Sequence, residues 1–110
     1  MSRSDLVAPG IFLSDTANAL IKYARAGVID VAHVPVRVQT IREAVGELVG
    51  DERLIDPALD LAIGHGHKIY DCLYLALAVE RRVPLATADR RMAALAQELS
   101  IPIELIEPEA

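Results

Sequence analysis

Along the chain, stretches with apolar residues at helical spacing alternate with short aliphatic runs. Residues 5 to 9, DLVAP, read as a short strand closed by Pro9 and Gly10. In the FLSDTANALIKYARAG that follows, Ala17, Leu20, Ile21 and Ala24 recur at helical spacing. Ser14 is the expected N-cap there, which puts Asp15 in the first turn, and Gly27 is the expected end. Residues 30 to 49 form a second helical region, containing VAHVPVRVQTIREAVGELV. Pro35 does not fit a helix interior, so the regular helix is expected to start near it or to kink there. From Gly50 to Asp56 the pattern is weak, with Arg53 to Ile55 as a minor strand. Pro57 suits the first turn of a helix capped by Asp56, with Leu59, Ala62 and Ile63 as its apolar face and GHGH, residues 64 to 67, as its end.

The next segment is apolar on more than one face. Between residues 69 and 82, Ile69, Cys72, Leu73, Ala76 and Leu77 form one stripe, while Leu75 and Ala78 occupy another. Such a helix is packed on several sides. After it come a strand, PLAT, a helix over residues 90 to 99, and a last strand, PIELI. Helices alternating with short aliphatic strands predict an α/β fold with a parallel sheet. The 110 residues suffice for one domain spanning 1 to 110, and no repeat, linker or low-complexity stretch divides them.

Composition narrows the function. Hydrophobic residues make up 53% of the chain, with one Phe and no Trp, so the core is aliphatic and the chain globular. The formal net charge of −5 argues against a broad, sequence-independent grip on nucleic acid, yet leaves room for a local basic strip beside an acidic pocket. A single cysteine excludes an internal disulfide, and Cys72 within the apolar helix reads as a buried free thiol. No apolar run approaches the ~20 residues needed to span a bilayer. The N-terminus does not read as a signal peptide, so a cytoplasmic, soluble protein is the expectation.

Against this apolar background three acids stand out. Asp71 heads the apolar helix, Asp89 follows the strand PLAT, and Asp15 opens an earlier helix. Each has an ordinary structural explanation. Asp71 complements a helix dipole, and Asp89 is a good N-cap. Their shared position adds another. In an open parallel sheet, ligands bind beyond the carboxyl ends of strands, where the next helices begin. If Asp71 and Asp15 head helices at the edge where Asp89 sits, the carboxylates converge. Their mutual repulsion is then relieved by a hard divalent cation such as Mg²⁺ or Mn²⁺.

Other residues admit two readings each. His65 and His67 flank Gly66; they serve as a helix C-terminus around a left-handed glycine or, less in keeping with the absence of further His or Cys nearby, as a metal pair. Tyr70 and Tyr74 share a helix face and read as core-edge packing or as base-stacking rings. Lys68, Arg81, Arg82, Arg90 and Arg91 are either solvated surface or seats for phosphate beside the acids. Asn18, one helical turn after Asp15, is a surface amide or a hydrogen-bond partner for it.

LVAPGIFLSDTANAL (6 to 20), HGHKIYDCLYLALA (65 to 78) and PLATADRRM (84 to 92) together resemble the PIN-domain ribonucleases of the VapC toxin type. The resemblance implies a three-layer α/β/α PIN-like domain with a short parallel sheet. It further implies a Mg²⁺-dependent endoribonuclease (Mn²⁺ being the alternative cation), the toxin of a type II toxin–antitoxin pair. Its substrate would be RNA, its partner a small antitoxin, and its state a homodimer. Asp71 and Asp89 match metal-binding acids of the family, Thr87 is a hydroxyl helper beside Asp89, and Asp15 stands where the family usually has Glu. The shorter Asp15 would reach a cation through water. The family has a further strand and helix before LVAP, with another acid, so the chain is expected to be N-terminally truncated, Asp5 being the only acid nearby. That strand lies mid-sheet in the family, and its loss would leave unpaired backbone groups on both neighbours. Closure of the gap, a partner chain or an earlier start would each resolve this. The alternative function is a catalytically inactive PIN-like module acting through dimerisation or antitoxin binding.

Overall fold

The computed structural model describes residues 6–87 and 89–105; Asp5 of the first predicted strand and Ile106 of the last lie outside the described residues. The chain divides into two compact units, Met1–Asp51 and Glu52–Ala110.

In the first unit, β1 (Val7–Pro9) leads directly into α1 (Ile11–Arg25). Gly10 is already helical, with φ −55° and ψ −31°, so no extended residue separates strand from helix. The helix therefore begins before Ser14, which caps nothing, and Asp15 falls in the second turn instead of the first. α1 ends as Gly27 predicts. With Gly27 at φ +78°, the Val28 N–H donates to the Tyr23 carbonyl at 2.9 Å and the Gly27 N–H to the Ala24 carbonyl at 3.1 Å. These are the paired bonds of a Schellman ending.

Asp30 then opens a 3-10 turn (Val31–His33), its Oδ1 accepting the Ala32 N–H at 2.9 Å. Pro35 lies in the first turn of α2 (Val34–Ala44), where its missing N–H costs nothing. The predicted helix to residue 49 stops early. Val45 is extended, and the N–H groups of Gly46 and Glu47 both donate to the Leu6 carbonyl, at 2.9 and 3.3 Å. A sheet partner for β1 thus overrides local helix propensity in GELV. The resulting β2 (Glu47–Val49) runs parallel to β1, with Val7, Ala8 and Pro9 opposite Glu47, Leu48 and Val49.

The second unit opens with α3 (Asp51–His65), which includes Arg53 to Ile55, predicted as a strand. It starts ahead of Asp56, so Pro57 sits in its interior. The buried stripe also differs from the predicted one. Leu54 and Ala58 are fully buried, whereas the predicted face residues Leu59 and Ile63 are 45% and 75% exposed. α4 (Ile69–Arg81) buries Cys72, Leu73, Leu75, Ala76, Leu77 and Ala78, the several-sided packing its sequence predicts. β3 (Leu85–Thr87), α5 (Arg90–Glu98) and β4 (Ile103–Leu105) form a βαβ crossover, with Leu85, Ala86 and Thr87 parallel to Ile103, Glu104 and Leu105. Asp89 caps α5: its Oδ1 accepts the Arg91 N–H at 2.8 Å and the Met92 N–H at 3.3 Å. The fold is α/β, and the strands pair two by two, in parallel.

Pro57 removes one hydrogen bond from the interior of α3. Relative to Ala, an interior proline costs about 3 kcal/mol, while its stiffening of the unfolded chain returns at most about 1 kcal/mol. Pro57→Ala is therefore expected to raise stability by about 2 kcal/mol, read as a higher urea midpoint at unchanged slope. Asp89→Ala should lower the same midpoint by about 1 kcal/mol through loss of the cap, and Asp89→Asn should hold it near wild type.

Candidate active site

The end of α3 sets up the site. Gly66 adopts φ +61°, and the His67 N–H donates to the Ala62 carbonyl at 3.1 Å, the longer bond of a Schellman ending. This is the left-handed glycine expected from the sequence. It turns the chain so that His67 and Lys68 stand immediately before α4, and Asp71 lies in that helix's first turn.

Asp71 is held by a neighbour one turn away. His67 Nε2 lies 3.0 Å from Asp71 Oδ2, with the two side chains only 13% and 27% exposed. A protonated imidazole makes this an ion pair. A neutral one with its proton on Nε2 makes it a hydrogen bond, so the contact exists in either charge state. His65 turns elsewhere, to Glu98 Oε2 at 3.8 Å. The two histidines are thus engaged by different carboxylates, which argues against a shared metal pair.

The second acid is positioned by its strand. Thr87 is the buried last residue of β3, and its Oγ1 accepts the Asp89 N–H at 3.0 Å. The hydroxyl predicted as a helper acts on the backbone of Asp89. Both cap bonds fall on Oδ1 of the carboxylate, and Oδ2 takes no part in the cap.

Asp71 and Asp89 line one cavity of about 70 Å³, together with Gly66, His67, Lys68 and Arg91. That is room for several waters or a hydrated ion. Two acidic and two basic residues therefore line one small space at the starts of α4 and α5. Among the described residues, no group of three or more His, Cys, Asp or Glu comes together as a metal cluster. Asp15 and Asn18 are exposed on α1 in the first unit.

Cys72, next to Asp71, is fully buried. Burial, and secondarily the charge of Asp71, pushes its thiol up from the ordinary range. It stays protonated at neutral pH and is no nucleophile. Tyr70 is 61% exposed, which does not fit the core-edge packing expected of it; Tyr74 is half-buried. Reasoning from the sequence missed the His67–Asp71 pair. The signal was present as an i, i+4 spacing, but it straddles a helix start, where the histidine reads more readily as part of the preceding helix's end.

No helix among the described residues is long and apolar enough to cross a membrane. No curated protein matches the chain. The PIN domain family model matches residues 2–98, and PIN domains are generally nucleases that use divalent metal ions. With that match running through both acids of the cavity, the chain belongs to the PIN-domain family.

Proposed function

We propose that this PIN-domain protein is a Mg²⁺-dependent endoribonuclease, cytoplasmic, and the toxin of a type II toxin–antitoxin pair. The observation that carries the reading is the convergence of Asp71 and Asp89 on one cavity within the family match. The donor chemistry suits a hard cation. Mg²⁺ is commonly held by one or two carboxylates, with waters and substrate phosphate completing its shell. Asp71 and Asp89, both in the second unit, would hold it. Mn²⁺ takes the same oxygen donors. When bound, a divalent cation supplies a water of lowered pKa and neutralises charge developing on the phosphate.

The chain's own residues do the positioning. His67 holds the Asp71 carboxylate by one oxygen. Thr87 fixes the backbone of Asp89 where β3 ends, and the cap bonds fix its side chain through Oδ1. Both acids are thereby oriented before any ligand arrives, which is what electrostatic catalysis requires of its charged groups. A homodimer and a small antitoxin protein that covers the site complete the proposal.

A second reading, an inactive PIN-like module working through dimerisation or antitoxin binding, draws on the want of a three-donor cluster among the described residues. RNA cleavage decides between the two. With Mg²⁺ present, the wild-type chain should cleave single-stranded RNA, and Asp71→Asn should lose at least about 100-fold of that rate. Chelation by EDTA should stop cleavage and Mn²⁺ restore it. Equal inactivity of folded wild type and Asp71→Asn would overturn the enzyme reading in favour of the second.

A further inference from the structure

Lys68 and Arg91 occupy positions that local helix physics disfavours. Lys68 is the N-cap of α4, extended at φ −66° and ψ 138°, and its side chain makes no cap hydrogen bond. Lysine has no acceptor to offer the free N–H groups of a first turn. Its charge also opposes the positive end of the helix dipole. Arg91 is the second residue of α5, another cation at the wrong end of a helix. Neither forms an ion pair with a carboxylate among the described residues. The acid nearest in sequence to Lys68, Asp71, is paired with His67, and the Oδ1 of Asp89 is occupied by the cap. Both misplaced cations line the same cavity. Both side chains are solvent-exposed and so open to a ligand, and natural proteins break one or two such local rules at functional sites.

We propose that Lys68 and Arg91 form an anion seat that takes one backbone phosphate of RNA beside Asp71 and Asp89. The proposal rests on the nuclease reading for the identity of the ligand. The two cations supply donors, and the start of α4, which carries no side-chain cap, adds positive potential for a single phosphate group. The carboxylates lining the same cavity would keep anions out of the cation's place and set the phosphate to one side. A net charge of −5 makes such a local seat the means by which an acidic chain holds a polyanion.

The test is RNA binding in EDTA, where cleavage is not required. The anisotropy of a labelled short single-stranded RNA would be followed with the full chain, Lys68→Gln, Arg91→Gln and, as a control of equal charge change, Arg42→Gln. Each seat variant should weaken binding about tenfold. Each should also flatten the dependence of log K on log salt by about one unit. Arg42→Gln should do neither, and thermal midpoints of the seat variants should not fall, since removing these charges relieves the helix dipoles. Seat variants that bind as tightly as wild type overturn the proposal. So does wild-type binding weaker than about 100 µM, the floor for non-specific phosphate contacts. So does saturable binding of inorganic phosphate without binding of RNA. Loss of binding in the variants together with no cleavage by wild type in Mg²⁺ would uphold the seat and overturn the nuclease. Cleavage unchanged in both seat variants would do the reverse.

Discussion

From Cys72 to Ala78, only Tyr74 keeps appreciable contact with water. Burying one Leu side chain contributes about 1.5–3 kcal/mol, so Leu73, Leu75 and Leu77 make this stretch of α4 the strongest apolar anchor in the second unit. Burial on several sides also restricts chemistry. A polar side chain in the middle of such a helix would be stranded, so charge is confined to the ends. Asp71 at one end and Arg81 at the other follow from that restriction. The acids of α4 accordingly sit at its two ends, Asp71 at the cavity and Glu80 paired with Arg53.

Helix endings carry the rest of the geometry. α1, α4 and α5 stop with the same pair of hydrogen bonds, at Gly27, Arg82 and Ser100, and α3 shares the longer of the two, at Gly66. At α3 the motif does more than stop a helix. The left-handed Gly66 and the bond from His67 back to Ala62 fix the chain direction into α4, and so fix His67 against Asp71. At the other wall, the end of β3 and the cap of α5 do the same for Asp89 through Thr87. Two short connections, each locked by backbone hydrogen bonds, define most of the site.

What the sequence made legible was the local part. The several-sided packing of α4, the terminating glycines, the placement of Pro35 and the cap at Asp89 depend on neighbours within about one helical turn. The errors lie where distant residues decide. GELV has helical neighbours but a strand partner in residues 7 to 9, and only the fold brings the two together. Pro57 pointed to a helix start, because its own preference is for the first turn. Burial of Leu54 and Ala58 extends the helix through it all the same. Leu59 and Ile63 lie off the stripe that those two residues define. In the site, the two acids were visible as residues, but the imidazole holding one of them was not.

Asp89 also shows how little of a carboxylate a helix cap uses. The cap uses Oδ1 for both of its hydrogen bonds. An N-cap needs an oxygen acceptor and not a full charge, which is why Asn serves nearly as well as Asp. A divalent cation needs the charge. The two demands fall on different properties of a carboxylate, and the cap leaves Oδ2 of Asp89 outside its bonds. Asp71 is divided in the same way, with Oδ2 given to His67. Selection for folding alone would be satisfied by an amide at position 89. The acid there adds a charge, beyond what the cap requires, to a cavity of about 70 Å³ that Asp71 also lines.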